Sequence, residues 1–247
     1  MLVAERREAI LKLVQTEGSV YVPDLSQRFH VSSSTIRRDL EWLAGHDRIR
    51  RTYGGAVTVE SASKPPQPAN DAAQRIAAAA VDLIAPGETI FIGPGPLCQG
   101  VAQHLCQRTH ITVLTNALDV AWILYQGASL PLIVTGGPVT RSSGALAGQL
   151  TLQALETLRA DRLIIEVAGV SPLEGLTSDE LAQAEIIRAL FHKVPLVVAL
   201  TTAERLGRVG AAWLGPISAA DVIITGRDAP SAIAWDLSES GVKVRLV

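Results

Sequence analysis

From Asp71 to the C-terminus, short continuous aliphatic runs alternate with stretches of helical spacing, and few architectures accommodate that pattern. The runs are Thr89 to Ile92, Ile111 to Leu114, Leu132 to Thr135, Leu163 to Ala168, Leu196 to Leu200, Val222 to Thr225 and Val242 to Val247. Between most of them lie helical patterns such as Leu181 to Phe191 and Ser231 to Ser240. A strand that is apolar on both faces must be covered on both, so the alternation predicts a mainly parallel sheet with helices on either side. Ligands of such a sheet sit beyond the carboxyl ends of its strands. With 48% of 247 residues apolar and only 4% aromatic, its core is aliphatic.

The N-terminal part reads differently. Ile10, Leu11, Leu13 and Val14 give an amphipathic helix from Ala4 to Gln15 that Gly18 stops. Pro23 suits the first turn of a second helix, Asp24 to Phe29, with Leu25 and Phe29 inward. His30-Val31-Ser32 is a tight connection to a third helix that Ser32 or Ser33 can cap and Gly45 can end. Ile36, Leu40 and Leu43 form its apolar stripe, and Ser34, Arg37, Arg38 and Glu41 point the other way. Small hydroxyls at a helix start, with two arginines one turn on, suit the major groove. Ser33, Ser34, Thr35, Arg37 and Arg38 are therefore candidate DNA contacts on a recognition helix. Arg48 to Tyr53, a Gly54-Gly55 turn and Ala56 to Val59 read as a hairpin. Its Arg50, Arg51 and Tyr53 would form a basic wing on the DNA backbone or minor groove.

Net charge is −2. Up to Val57 there are nine Lys/Arg against seven Asp/Glu, leaving thirteen against seventeen beyond it. Duplex affinity depends on local phosphate neutralisation, so a mildly basic head on an acidic body is compatible with a double-stranded DNA partner. Residues 1–58 are thus expected to be a winged helix-turn-helix domain, 59–72 a linker rich in proline and polar residues, and 73–247 an α/β domain for a small-molecule effector. No apolar run approaches the roughly 20 residues that span a bilayer, and the N-terminus lacks a signal-peptide layout, so a soluble cytoplasmic protein with no membrane partner is expected. Cys98 and Cys106 read as reduced thiols. With His30, His46, His104, His110 and His192 they make no ligand-spaced set, and neither metal nor cofactor is expected.

Polar residues gather where the aliphatic runs end. Gly93-Pro94-Gly95-Pro96-Leu97-Cys98 follows the first run. It lacks the third glycine of a dinucleotide fingerprint, and its prolines withhold two N–H donors. Thr115-Asn116 ends the second run, Gly136-Gly137 follows the third, and Gly169 and Thr177 follow the fourth. Thr202 and Arg205 follow the fifth. Glu166 lies inside the fourth run, where a lone carboxylate is costly unless it is paired or reached by ligand or solvent.

Both halves resemble the DeoR family of bacterial transcriptional regulators. The resemblance rests on Val31-Ser32, Thr35-Ile36-Arg37-Arg38-Asp39-Leu40 and Arg50-Arg51-Thr52-Tyr53-Gly54-Gly55-Ala56-Val57. Further along, it rests on Thr115-Asn116, Gly136-Gly137, Gly169, Gly175-Leu176-Thr177, Glu185 and Gly207-Arg208. It implies a sugar-phosphate-isomerase-like sensor domain, a phosphorylated sugar or related effector, and repression of a catabolic operon by a homo-oligomer, dimer or tetramer. The departures cluster in the pocket. Gly93-Pro94-Gly95-Pro96-Leu97-Cys98 replaces a hydroxyl-rich loop, Glu166 replaces a glycine, Thr202 an aspartate and Arg205 a lysine. Such a chain would bind an unusual effector, or hold its phosphate through Arg205 and Arg141. Two rival readings are an isomerase-like enzyme with Glu185 as base and an architectural protein with no effector. The expectation is a regulator without catalytic residues.

Overall fold

The structure, a computed structural model, describes residues 3–17, 19–29, 31–45, 49–52, 55–58 and 68–247. The chain divides into two compact units, Met1–Gln67 and Pro68–Val247.

The first unit contains α1 (Val3–Glu17), β1 (Ser19–Tyr21), α2 (Val22–Phe29), α3 (Ser33–Gly45), β2 (Ile49–Thr52) and β3 (Gly55–Thr58). Ile36, Leu40 and Leu43 are buried along one face of α3, where they meet Ile10 and Val14 of α1 and Leu25 of α2. Burying each such side chain stabilises the unit by about 1.5 to 3 kcal/mol. The expected two-stranded wing is part of a three-stranded antiparallel sheet in the order β1-β3-β2. β1 escapes a sequence reading because it is three residues long and its partner is distant, Ser19 lying opposite Val57. In the β2-β3 register Thr52 faces Gly55, so Gly55 belongs to a strand and not to the turn. Tyr53 and Gly54 lie outside the described residues.

The second unit runs α4 (Pro68–Val81), β4 (Thr89–Ile92), α5 (Pro96–Leu105), β5 (Thr112–Thr115), α6 (Leu118–Gly127), β6 (Leu132–Val134), β7 (Val139–Thr140), β8 (Ala145–Leu146), α7 (Gln149–Thr157), β9 (Arg162–Glu166), β10 (Gly169–Ser171), β11 (Gly175–Ser178), α8 (Leu181–Phe191), β12 (Val197–Leu200), β13 (Ala212–Gly215), β14 (Val222–Thr225), α9 (Ser231–Glu239) and β15 (Lys243–Leu246). Helix α4 starts inside the stretch expected to be linker. Proline is compatible with a first helical turn, Asp71 there faces the positive helix end, and Arg75 lies 3.6 Å from it one turn on. Residues 59–67 lie outside the described residues.

Each aliphatic run becomes a strand of one seven-stranded sheet, ordered β15-β14-β12-β9-β4-β5-β6 with every pairing parallel. Alternation along the strands splits the core in two. Phe91, Leu114, Leu163, Ile165, Val197, Ala199 and Ile223 face α7, α8 and α9. Ile90, Ile92, Val113, Ile164, Val198, Leu200 and Ile224 face α4, α5 and α6. The order reverses between β4 and β9, because β5 and β6 extend the sheet to one side and β12, β14 and β15 to the other. A crevice opens at the carboxyl ends of the strands at such a reversal. The run at Leu132 departs from its expected burial, since β6 is an edge strand whose Ile133 and Val134 are 42% and 41% exposed. A small antiparallel sheet, β10-β11-β13, forms from glycine-rich and polar segments after β9.

Candidate functional site

In the first unit, Ser32 caps α3: its Oγ accepts the Thr35 N–H at 3.3 Å and lies 2.8 and 2.9 Å from the Ser34 and Thr35 hydroxyls. Ser34 and Arg38 are exposed on α3 and Thr35 is half-buried. Asp39 fixes this helix from behind. Its Oδ2 accepts from Arg6 Nε at 2.6 Å and its Oδ1 from Arg7 Nε at 2.9 Å, so the start of α1 is tied to the middle of α3. The Arg7 guanidinium also lies 4.5 Å from the centre of the Trp42 ring. The apolar stripe and this ion triad together leave the face bearing Ser34 and Arg38 outward. The side chains of Ser33, Arg37, Arg50 and Arg51, and the whole of Tyr53, lie outside what is described.

In the second unit a cavity of about 210 Å³ opens at the reversal between β4 and β9. Pro94 and Gly95 after β4, Glu166 to Ala168 at the end of β9, Ser178 to Glu180 and Gln183 on the way into α8, Ser143 and Arg205 line it. Strand alternation sends Glu166 to the α5 side of the sheet. There its Oε2 accepts the Leu97 N–H at 2.7 Å, in the first turn of α5, and its Oε1 accepts Arg205 Nη1 at 2.6 Å. Gly95 has φ 124°, and a Cβ on it would lie 2.5 Å from Glu166 Oε2, so this loop needs glycine both for its backbone and for the carboxylate it covers. Beneath the carboxylate, burial first and the Glu166 charge second push the Cys98 thiol well up, so it stays protonated and unreactive.

Gln183 is 4% exposed, borders the cavity, and has no partner for its Nε2 among the described residues. Its Oε1 accepts from Asn116 Nδ2 at 3.1 Å, which also donates to the Leu146 carbonyl, while Asn116 Oδ1 likewise has no partner among the described residues. At the rim Ser143 donates to Glu180 at 2.8 Å, and Arg208 grips Asp179 through two bonds of 2.9 and 3.0 Å.

Of the residues the sequence singled out for an effector, Gly95, Glu166 and Arg205 line this cavity together, and Asn116 reaches it through Gln183. Gly93 is buried, its N–H on the Ile164 carbonyl. Thr115 is wholly buried between the Ile92 carbonyl and the Ala117 N–H. Gly137 packs against Thr151 of α7, while Gly136 is exposed and only its carbonyl accepts from the Thr151 hydroxyl. Thr177 spans Gly169 and Gly210, and Gly169 has no room for a side chain. Thr202 borders a separate hollow with Arg75 and Arg227. Arg141 is exposed, and Glu185 faces solvent on α8 outside the cavity. Gln183 was not singled out, although a polar residue in the stripe with Ile187 and Leu190 on α8 was its signal.

A helix-turn-helix head joined to a doubly wound α/β domain with a strand-end cavity defines a two-part, ligand-sized regulator architecture. Residues 6–62 match the DeoR-like helix-turn-helix domain and residues 69–227 the DeoR C terminal sensor domain. The chain is 29% identical to the putative aga operon transcriptional repressor of Escherichia coli O157:H7, over 99% of its own length and 94% of that protein's. It is 28% identical to the glycerol-3-phosphate regulon repressor of Escherichia coli K12, over 98% of each. Among solved structures it is similar to ribose 5-phosphate isomerase A of Methanocaldococcus jannaschii, with a TM-score of 0.42 and 15% identity, and it spans only 54% of that chain. The chain belongs to the DeoR family, and it is a DNA-binding transcriptional regulator. No helix among the described residues is long and apolar enough to cross a membrane.

Proposed function

We propose that this regulator is a repressor of a carbohydrate-type catabolic operon whose operator affinity is set by a small polar metabolite in the cavity between β4 and β9. One observation carries the effector part: Gln183, whose buried amide nitrogen has no hydrogen-bond partner among the described residues, forms part of the wall of a cavity at the strand-order reversal. An unsatisfied buried donor costs about 1 to 3 kcal/mol, and a ligand that bonds to it recovers that cost. The cavity, about 210 Å³, is below the roughly 300 Å³ at which sites for drug-sized ligands begin, which supports a small metabolite.

Base reading is assigned to Arg37 and Arg38 with Ser33, Ser34 and Thr35, and backbone grip to Arg50, Arg51 and Tyr53. The protein acts by binding and not by turnover. Glu185, the carboxylate considered as a base, faces solvent outside the cavity, and of the carboxylates that line it Glu166 holds Leu97 N–H and Arg205, Asp179 holds Arg208 and Glu180 accepts from Ser143.

A homo-oligomer is proposed to form through α6 and the edge strand β6. Trp122 and Tyr125 stack on α6 while 61% and 75% exposed, beside the exposed Ile133 and Val134 of a strand with an open edge. Such an edge pairs readily with a second copy. Ligand then shifts DNA affinity only through a difference in affinity between two states. The test is retention of the genomic fragment upstream of this gene by the purified protein, followed by its release with metabolite fractions. Retention with release by one fraction is expected, and failure to prefer that fragment over random DNA refutes the reading.

A further inference from the structure

We infer that Glu166 is a built-in anion, filling the seat a phosphate group would need, and that the cavity takes a polyhydroxylated ligand that carries no phosphate. The inference rests on the effector reading of this cavity given above.

An anion at a strand end needs backbone N–H donors at a helix start and a cation beside them. In this loop Pro94 and Pro96 have no N–H, so Leu97 is the first donor α5 presents, and it is spent on Glu166. Arg205 is the one cationic side chain lining the cavity among the described residues, and it is spent on the other oxygen of the same carboxylate. The arrangement is fitted and not incidental. Gly95 leaves out the side chain that would collide with Glu166, and Glu166 is only 8% exposed.

A phosphate entering here would also meet carboxylates. Glu166, Asp179 and Glu180 line the cavity against Arg205 alone, and Arg208 outside it is already committed to Asp179. Like charges at this range repel strongly where solvent is displaced. The groups left for a ligand are carboxylate oxygens that accept, the wall residue Gln183 with its amide nitrogen unpartnered among the described residues, and an apolar wall of Ile165, Val167 and Ile187. Hydroxyls donate to the carboxylates and bond the amide, and the C–H face of a sugar or polyol suits the wall.

The experiment uses the full chain, with calorimetric titration of inorganic phosphate and of matched pairs: ribose and ribose 5-phosphate, glucose and glucose 6-phosphate, glycerol and glycerol 3-phosphate. The wild type should bind no phosphate member more tightly than its parent. Glu166→Gly, which frees Leu97 N–H and Arg205, should gain at least about tenfold in affinity for inorganic phosphate, an easily read difference in dissociation constant. Glu166→Gln, which keeps the shape and removes the charge, should shift in the same direction by less and serves if the glycine variant does not fold. Wild-type preference for the phosphate members by about tenfold, or folded variants with no gain, would overturn the inference. If the variants gain phosphate while operator retention by every form ignores all the probes and all extract fractions, the Glu166 assignment stands and the effector reading falls.

Discussion

Asp39 in the first unit and Glu166 in the second are both nearly sealed from solvent, with side-chain exposures of 2% and 8%, and each has both oxygens committed. Their surroundings differ. Asp39 is held by two arginines from one helix, Arg6 and Arg7, on an α3 whose Ile36 and Leu40 are buried in the core of the unit. Glu166 is held by one backbone N–H and one arginine at the wall of a cavity. The same ion-pair chemistry serves as a brace where it ties two helices together and as an occupant where it lines a cavity. Burial of a charge therefore does not reveal its role until the neighbouring volume is known.

The largest effect expected from this contrast is at Asp39. Asp39→Ala leaves the nearly buried Arg6 uncompensated and should destabilise the first unit by about 3 to 5 kcal/mol. Denaturation of the full chain should then show an early transition separate from that of the second unit. Glu166→Ala should cost less, about 1 to 2 kcal/mol, because Arg205 is 27% exposed and water can enter beside it. Equal costs would erase the distinction between brace and occupant.

The brace matters if it holds α3 for reading. Arg37→Ala should weaken operator binding by about 1 to 3 kcal/mol with little change on random DNA, whereas Arg51→Ala should weaken both alike. Competition binding at fixed salt separates the two, and equal losses on both DNAs for Arg37→Ala would make it a backbone contact.

Glu88 offers a third acid for calibration. Arg162 donates to it twice, at 2.8 and 3.0 Å, which holds its carboxyl below the usual carboxylate range. A depressed folded-state value means that the pair's stabilisation is complete at neutral pH, begins to fall in the usual carboxylate range, and is lost as pH drops through the folded-state value. Glu88→Gln should lower the melting temperature at pH 7 and flatten its dependence on acid. An unchanged acid profile would show that the pair contributes nothing.

The smallest effect is at Cys98. In the native protein it should resist a thiol reagent at pH 8 and react only after denaturation, while the half-buried Cys106 reacts first. Rapid native labelling of Cys98 would mean that the Glu166 side of the cavity opens.

Most continuous aliphatic runs were legible because a strand covered on both faces favours them, and the stripe of Ile36, Leu40 and Leu43 because its spacing suits one packed face of a helix. The edge character of β6 was not, since Leu132 to Thr135 reads like the central runs and only sheet order exposes it. β1 and the sheet of β10, β11 and β13 were hidden by short length, glycine content and partners far along the chain. At the site, the sequence flagged Glu166 as an anomaly and Arg205 as a cation but could not join them, because 39 residues separate the pair. Gln183 was passed over because its importance comes from the cavity beside it and from Asn116 behind it.

The most direct test of an effector cavity governing DNA affinity compares the wild type with Gln183→Leu, which keeps the bulk and removes the amide. Both should retain the upstream fragment equally in the absence of extract, and a metabolite fraction that releases the wild type should leave the variant bound at least about tenfold more tightly. Release of both proteins by the same fraction at the same concentration would contradict the account.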